Sequence, residues 1–258
     1  MIENSNSKGY TIKMIKLPLL LTANKLKMIA IIAMFFDHFI AVFIPHDTIY
    51  GILLRIPGRI SAPIICYFIA EGYFYTSNKH KYASRLLLFA LVSHIPYNLL
   101  FGYDFFQATS VIWSLAMGLI ALIVIKDNQY NWLIKFIVLL VACFLSIRAN
   151  WNYVAVLWIV GFGVFRNNLK YQIYSFVIIG VIFHLIPTYV YFGFNHSVYP
   201  HWYQLAFVLA IPFIAMYNGK LGMKSKFSSL FFYVFYPFHL LILYFIDKFT
   251  TLSQLFGN

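Results

Sequence analysis

The chain has 258 residues, of which 62% are hydrophobic, 21% aromatic and only 10% charged. About a quarter of the residues in a soluble domain are charged, so this composition excludes a soluble protein and predicts a multi-pass protein of the cell membrane, surrounded by lipid. The 19 Lys and Arg residues outnumber the seven Asp and Glu residues, and we interpret this excess first as a topology signal.

The first residues are polar, and the segment that follows them is interrupted by Lys16 and Pro18, which is not the pattern of a cleaved signal peptide. We expect residues 1–27 to form a cytoplasmic or interfacial segment, residues 28–246 a single transmembrane domain, and residues 247–258 a short extracytoplasmic tail. Runs of the length that crosses a bilayer as a helix, about 17–25 apolar residues, recur through the domain. They predict an all-α fold with about nine spans, within a range of eight to ten, at 28–45, 50–75, 82–101, 108–125, 131–147, 151–165, 171–192, 201–217 and 227–246.

Positive charges at or near the ends of these spans fall mainly in every second loop. Fifteen of the 19 cations fall on one side of the predicted domain: Lys8, Lys13, Lys16, Lys25, Lys27, Lys79, Lys81, Arg85, Lys126, Lys135, Arg166, Lys170, Lys220, Lys224 and Lys226. Because Lys and Arg concentrate in cytoplasmic loops, the N-terminus is predicted to be cytoplasmic and the C-terminus to lie outside.

The second span is the one that proline and glycine interrupt most strongly. Pro57, Gly58 and Pro63 all lie within it, so we expect it to be bent or re-entrant. Cys66 and Cys143 lie in apolar runs, and we interpret both as packing residues. Neither a metal-ligand spacing nor a nucleic-acid motif is present in the sequence, and we expect no metal and no nucleic-acid partner.

Ionisable side chains within the spans are the candidate functional residues. Each costs about 2.5–3.5 kcal/mol on insertion scales, so those that persist are expected to face a partner or a water-filled cavity. They are Asp37, His38, Arg55, Arg59, Glu71, His94, His184 and His239.

Lys27 and His38 lie 11 positions apart, which is three helical turns, so both are predicted on one face about 16 Å apart along the axis. Ile31 and Met34 fill the stripe between them. A cation at the inner mouth and a titratable base deeper inside would suit a molecule whose anionic end stays in the cytoplasm. The alternatives are that Lys27 is a snorkelling anchor and that His38 is a buried structural histidine.

Arg55 and Arg59 are expected either to pair with Asp37, Asp47 or Glu71, or to hold a carboxylate, a phosphate or a developing oxyanion. The two roles are compatible. Glu71 suits an acid/base role and the capping of a cation equally well.

Three further histidines lie in spans that also contain proline. His239 follows Pro237 and suits either a packed core or the lining of a pocket. His94 and His184 each precede a proline, and we expect them to bond carbonyl groups that the helix kinks set free.

Several stretches together resemble the TraX family of membrane proteins, over most of residues 26–246. They are "LKMIAIIAMFFDHF", "GRISAP", "EGYFYT", "KYASRL", "VLAIPFIAMYNGK" and "YPFHL". The founding member of the family is associated with N-terminal acetylation of conjugative pilin. The resemblance implies that Asp37, His38, Arg59, Glu71 and His239 lie in or near an active cavity. The chain departs from the family pattern at His94 and at residues 150–152.

The first of these stretches also resembles that of the acyltransferase-3 membrane enzymes, in which ten residues separate a basic residue from a histidine, as they separate Lys27 from His38. The resemblance implies an acyltransferase that uses acyl-CoA, most simply acetyl-CoA, and a peptide N-terminus or a glycan as acceptor. His38 would be the general base, oriented by Asp37 or another carboxylate. Arg59, with Arg55, would stabilise the oxyanion or hold the donor, and Lys27 would meet the CoA phosphates.

Glu71 is a further candidate catalytic residue, and His239 a candidate for substrate binding. Two other classes of protein remain open. A proton- or ion-coupled transporter would use the same charged groups as a relay. A non-catalytic membrane assembly factor would use them to hold helices together.

Overall fold

The computed structural model describes residues 18–45, 48–193, 199–222 and 226–250. Within these ranges the chain folds into helices, with no β-strand. Residues 1–17, the acid Asp47 and residues 251–258 lie outside the described ranges, so the interfacial segment and most of the predicted tail stay predictions.

Eleven α-helices follow one another through the described residues. They are α1 (Ala23–Phe43), α2 (Ile49–Arg55), α3 (Ser61–Tyr75), α4 (Lys79–Phe101), α5 (Val111–Lys126), α6 (Trp132–Leu145), α7 (Asn152–Val164), α8 (Leu169–Gly180), α9 (Ile186–Gly193), α10 (Ala210–Ala215) and α11 (Lys226–Phe249). A 3₁₀ turn, Pro57–Ile60, separates α2 from α3. A π-helical segment, Val181–Leu185, separates α8 from α9, and a 3₁₀ segment, Tyr199–Leu209, leads into α10.

Five stretches of the described chain are long and apolar enough to cross a bilayer. They are Ala23–Phe43, Ile49–Tyr75, Lys79–Phe101, Leu169–Val190 and Phe231–Phe249. Shorter apolar helices lie at Val111–Lys126, Trp132–Leu145, Asn152–Val164 and Tyr203–Ala215. Each stretch overlaps one predicted span, which confirms an all-α multi-pass membrane protein. The number of crossings and the side of the N-terminus stay predictions.

Helix α1 carries the first candidate residues across the bilayer. Its 21 residues measure about 31 Å at 1.5 Å per residue, which matches the hydrocarbon core. One face packs against α3 and α11 and buries Ala30 and Met34. Phe36, 55% exposed, lies on another face, where lipid rather than water is the solvent. The apolar outer face therefore needs no protein partner.

The second span breaks at proline, as predicted. Pro57 begins the 3₁₀ turn, and its ring fixes φ and removes a backbone N–H donor. Gly58 then lies against α1: a Cβ atom at this position would come within 2.7 Å of the carboxyl carbon of Asp37. Only glycine permits this approach. The break thus brings the arginines on either side of it, Arg55 and Arg59, to the same point on α1.

The core of the bundle lies around α5 and α7, which pack against each other and against α3. Trp158 of α7 is fully buried, and its indole N–H donates a 3.0 Å hydrogen bond to the carbonyl of Phe176. Only 11% of the apolar window of Leu169–Val190 is buried, against 61% of that of Ile49–Tyr75. This stretch therefore lies at the periphery, with the candidate residue His184 within it. Asp37, His38, Arg55, Arg59 and Glu71 lie in Ala23–Phe43 and Ile49–Tyr75, whose apolar windows are 50% and 61% buried.

Candidate functional site

A cavity of about 680 Å³ lies between α1, α3, α4, α5 and α11. Lys27 and Arg85 line it where α1 and α4 begin, at the end of the bundle that carries most of the cations. Nearer the middle of the domain, it is lined by Met34 of α1, Ile65 near the start of α3 and Tyr236 of α11. The cavity is therefore cationic at one end and mainly apolar at the other.

The face of α1 that carries Lys27, Ile31, Met34 and His38 lines this cavity only as far as Met34. Lys27, Ile31 and Met34 line the cavity, whereas His38, one turn further, is not among the lining residues. The ring of Tyr236 from α11 lies there, with its centroid 6.1 Å from that of His38 and nearly perpendicular to it. His38 therefore lies beside the ring of Tyr236 and does not itself line the cavity.

Asp37 and two arginines form a buried ion cluster on another side of α1. Arg55 donates from Nε to the Asp37 carboxylate at 3.2 Å, and Arg59 makes a second, closer contact with the same carboxylate. The Arg59 guanidinium also lies over the rings of Trp151 (5.3 Å) and Tyr203 (5.4 Å). In the structure, both arginines pair with Asp37, which is one of the alternatives that the sequence left open.

His38 is hydrogen bonded to His239 of α11, with Nδ1 of His38 2.8 Å from Nε2 of His239. Nδ1 of His239 lies 2.8 Å from the carbonyl oxygen of Phe235, and a carbonyl can only accept, so this nitrogen carries a hydrogen. In an uncharged pair, Nε2 of His239 must then accept from Nδ1–H of His38. The arrangement leaves the lone pair of His38 on Nε2, as a general base requires.

The two neighbours Asp37 and His38 therefore have separate partners. Successive residues of a helix point about 100° apart, so Asp37 reaches the broken second span while His38 reaches α11. The side chain that orients His38 is His239, not Asp37 as expected. Arg59, in turn, contacts Asp37 rather than the histidine pair.

A profile of the TraX protein family matches residues 22–247 of this chain, which contain the cavity, the ion cluster and the histidine pair. The chain belongs to the TraX family. A protein described as "Probable fimbrial assembly protein FimC, serogroup H1", from Dichelobacter nodosus, is 28% identical to this chain in an alignment of 232 residues, which covers 86% of this chain and 94% of that protein. No solved structure matches the chain.

Glu71 lies apart from the other candidate residues of this TraX-family protein. Its carboxylate accepts from Arg166 Nε at 3.0 Å and from the same guanidinium's Nη2 at 3.5 Å. Glu71 lies near the end of α3, whereas Arg59 precedes its start, so about 18 Å of helix separates them. In the structure, Glu71 caps the Arg166 cation, which is one of its two expected roles.

Replacement of Glu71 by glutamine is expected to lower stability modestly and to leave any catalytic rate unchanged. The amide oxygen can still accept from Arg166, whose side chain is 25% exposed, so we expect a loss of about 1 kcal/mol. Thermal unfolding in detergent measures this loss, and Asp127→Asn, at the half-buried residue that follows α5, is the control. A loss of more than tenfold in the catalytic rate of Glu71→Gln would instead indicate that Glu71 acts as an acid or a base.

Several residues of the TraX-family site gave no signal in the sequence. Gln204 accepts a hydrogen bond of 3.4 Å from Arg59 and lies 3.3 Å from Nε2 of His184. His184, expected to bond a carbonyl freed by proline, thus has a side-chain partner. Trp151, at one departure from the family pattern, lies against both Arg59 and His184. Aromatic and amide residues are common in this chain, so the residue types of Trp151 and Gln204 do not single them out.

Proposed function

We propose that this protein is a membrane-embedded acyltransferase, which moves an acyl group, most simply acetyl, from acyl-CoA to an amine such as a peptide N-terminus, or to the hydroxyl of a glycan. One observation carries the proposal: a cavity with a cationic mouth ends on Tyr236, and the ring of Tyr236 packs against a hydrogen-bonded histidine pair. The resemblance to a family associated with pilin acetylation and to the acyltransferase-3 enzymes supports the same reaction.

The cavity suits a long molecule with an anionic head and a thin uncharged arm. Lys27 and Arg85 would contact the phosphates of CoA, since both side chains line the cavity near the start of their helices. Lys27 also lies 5.4 Å from the ring of Phe68 and 5.7 Å from that of Phe232, so its position is restricted by packing. The apolar walls would receive the pantetheine arm, with the thioester towards Tyr236.

Proton transfer would be the task of His38. As the acceptor nitrogen forms its bond to the thioester carbon, Nε2 of His38 takes the proton that the nitrogen loses. The imidazolium is stabilised because its Nδ1–H donates to His239. When the carbon–sulfur bond breaks, the electron pair leaves with sulfur, and His38 returns the proton to the thiolate.

Labelled acetyl-CoA tests the reaction directly. Purified protein in lipid nanodiscs is mixed with [¹⁴C]acetyl-CoA and peptides whose N-terminus is free or blocked. We expect label on the free peptide alone. CoA is also expected to raise the melting temperature, because a ligand that binds only the folded state stabilises it.

The Lys27→Gln variant tests the mouth of the cavity. Loss of one charge-assisted contact should raise the CoA concentration needed for half-maximal stabilisation about tenfold or more. Lys135→Gln in α6, outside the cavity, is the matched control and should behave as wild type. A folded protein that neither transfers label nor gains stability with CoA would contradict the proposal, and gradient-driven ion flux in its place would favour a transporter.

A second candidate function is that of a non-catalytic assembly factor for surface fibres. It is favoured by the name of the Dichelobacter nodosus relative and by the ion cluster, which joins α1 to the broken second span. Such a protein needs no acyl donor. It would therefore show no response of the melting temperature to CoA.

A further inference from the structure

The mouth of the cavity carries two cations without an acidic partner. Lys27 and Arg85 line it, and no Asp or Glu lines the cavity among the residues that the structure describes. The ion pairs of the described chain belong to Arg55, Arg59 and Arg166, so neither cation of the mouth has a carboxylate within salt-bridge distance there. The mouth therefore suits an anion, which in the proposed function is a phosphate of CoA.

Three tyrosines line the described part of this mouth, and they differ in exposure. Tyr82 is 7% exposed and packs against Gly72, where an added Cβ atom would come within 2.8 Å of the tyrosine hydroxyl. Tyr233 is half-buried and stacks on Phe89, with ring centroids 5.1 Å apart. Tyr75, the last residue of α3, is 63% exposed. Its ring is therefore the aromatic surface of the mouth that a ligand can reach most easily.

The exposed ring of Tyr75 is supported by a buried ion pair. The guanidinium carbon of Arg166 lies 5.2 Å from the centroid of Tyr75 and 4.2 Å from that of Phe74. The carboxylate of Glu71 holds the same guanidinium, at 3.0 Å from its Nε. A ring that is already held in place loses little conformational freedom when a ligand stacks on it. The Glu71–Arg166 pair thus prepares the ring of Tyr75 for a flat ligand.

An open aromatic ring beside two cations fits a ligand that joins a flat ring system to anionic groups. Bases stack on aromatic side chains, and Lys and Arg bind phosphates. CoA carries adenine and phosphates together, at the end opposite its thiol. With the thioester towards Tyr236, this end lies at the mouth. A phospholipid headgroup or a protein-bound phosphopantetheine would offer a phosphate without a base.

We infer that the ring of Tyr75 stacks on the adenine of CoA while Lys27 and Arg85 contact its phosphates, so that the acyl donor is a free CoA thioester. This inference rests on the proposed function. Arg166 is a positioning residue for Tyr75, and Glu71 acts through Arg166. Adenine lies far from the reacting carbon, so its contact with Tyr75 is the same in the ground state and the transition state. The contact therefore affects KM and not kcat.

Two acetyl donors that differ in the adenosine part test the stacking. S-acetyl phosphopantetheine has the arm and one phosphate of acetyl-CoA but no adenine. Tyr75→Ala should raise KM for acetyl-CoA about tenfold or more, with kcat unchanged, and should leave kcat/KM for S-acetyl phosphopantetheine at the wild-type value. Tyr75→Phe keeps the ring and should behave as wild type with both donors.

The control is a second exposed tyrosine with a cation beside it. Tyr174, near the start of α8 and outside the cavity, is 50% exposed, and Nζ of Lys170 lies 5.6 Å from its ring centroid. Tyr174→Ala should retain wild-type kinetics with both donors, because an exposed tyrosine that does not line the cavity cannot contact CoA there.

Fluorescence anisotropy of the ethenoadenine analogue of CoA measures binding without turnover. Tyr75→Leu keeps an apolar side chain at the end of α3 and should weaken this binding as much as Tyr75→Ala does. Unchanged binding in both variants would overturn the adenine site alone, as would equal losses of kcat/KM for the two acetyl donors. A folded wild type that neither transfers label nor binds CoA would overturn the proposed function, and this site with it.

Discussion

Replacement of Asp37 by alanine is expected to destabilise the protein by about 3–5 kcal/mol, the usual consequence of removing one partner from a buried ion pair. The Asp37 carboxylate is the shared partner of Arg55 and Arg59, whose side chains are 17% and 8% exposed. Without it, two guanidiniums keep their positive charge at a depth where water cannot replace the lost contact. The loss should appear as a lower midpoint of denaturation in detergent.

The controls for Asp37 separate its charge from its shape. Asp104→Ala, in an exposed loop, removes the same group without a buried partner and should change stability by less than about 0.5 kcal/mol. Arg59→Ala and the Asp37→Ala, Arg59→Ala double variant complete a cycle, and we expect the double variant to lose less than the sum of the single losses. Additive losses would mean that the pair does not stabilise the fold.

The periodicity and composition of the sequence predict most of this fold. Apolar runs located each helical stretch, and Pro57 located the break in the second span, because a missing N–H and a fixed φ act locally. The pairing of Arg55 and Arg59 with Asp37 could also be foreseen, since few acids are available to neutralise buried cations. Charge balance in an apolar medium is a strong constraint, and it can be applied to a sequence without knowing the packing.

The geometry of the candidate site was less predictable, because it depends on contacts between distant helices. The sequence places Asp37 beside His38, which suggests an acid that orients a base, yet the partner of His38 is His239, 201 positions away. Likewise, the position of Arg166 between two predicted spans indicates only a loop cation, although its side chain pairs with Glu71. Tyr236 is one of 20 tyrosines in the chain, so its residue type does not single it out. Helix rotation and neighbour choice, not residue type, decide such contacts.

Replacement of His38 by alanine is expected to reduce acetyl transfer by about 10²–10⁴-fold, the usual contribution of a positioned general base. The hydrogen-bond order from the Phe235 carbonyl through His239 leaves the basic nitrogen of the pair on His38. CoA binding should persist, because the cationic end of the cavity lies three turns away along α1. Rates with [¹⁴C]acetyl-CoA and melting temperatures with CoA, measured on the same preparation, distinguish a loss of chemistry from a loss of binding.

His239 extends the same argument as a positioning residue. His239→Ala removes the acceptor for Nδ1–H of His38 and should lower the rate by less than His38→Ala does, whereas His239→Gln offers an amide oxygen near the position of Nε2 and should recover part of it. His80→Ala, at the exposed start of α4 and outside the cavity, is the matched histidine control. Transfer at the wild-type rate by His38→Ala would exclude an imidazole base. Equal losses in His239→Ala and His239→Gln would show that His239 acts through packing rather than through its hydrogen bond.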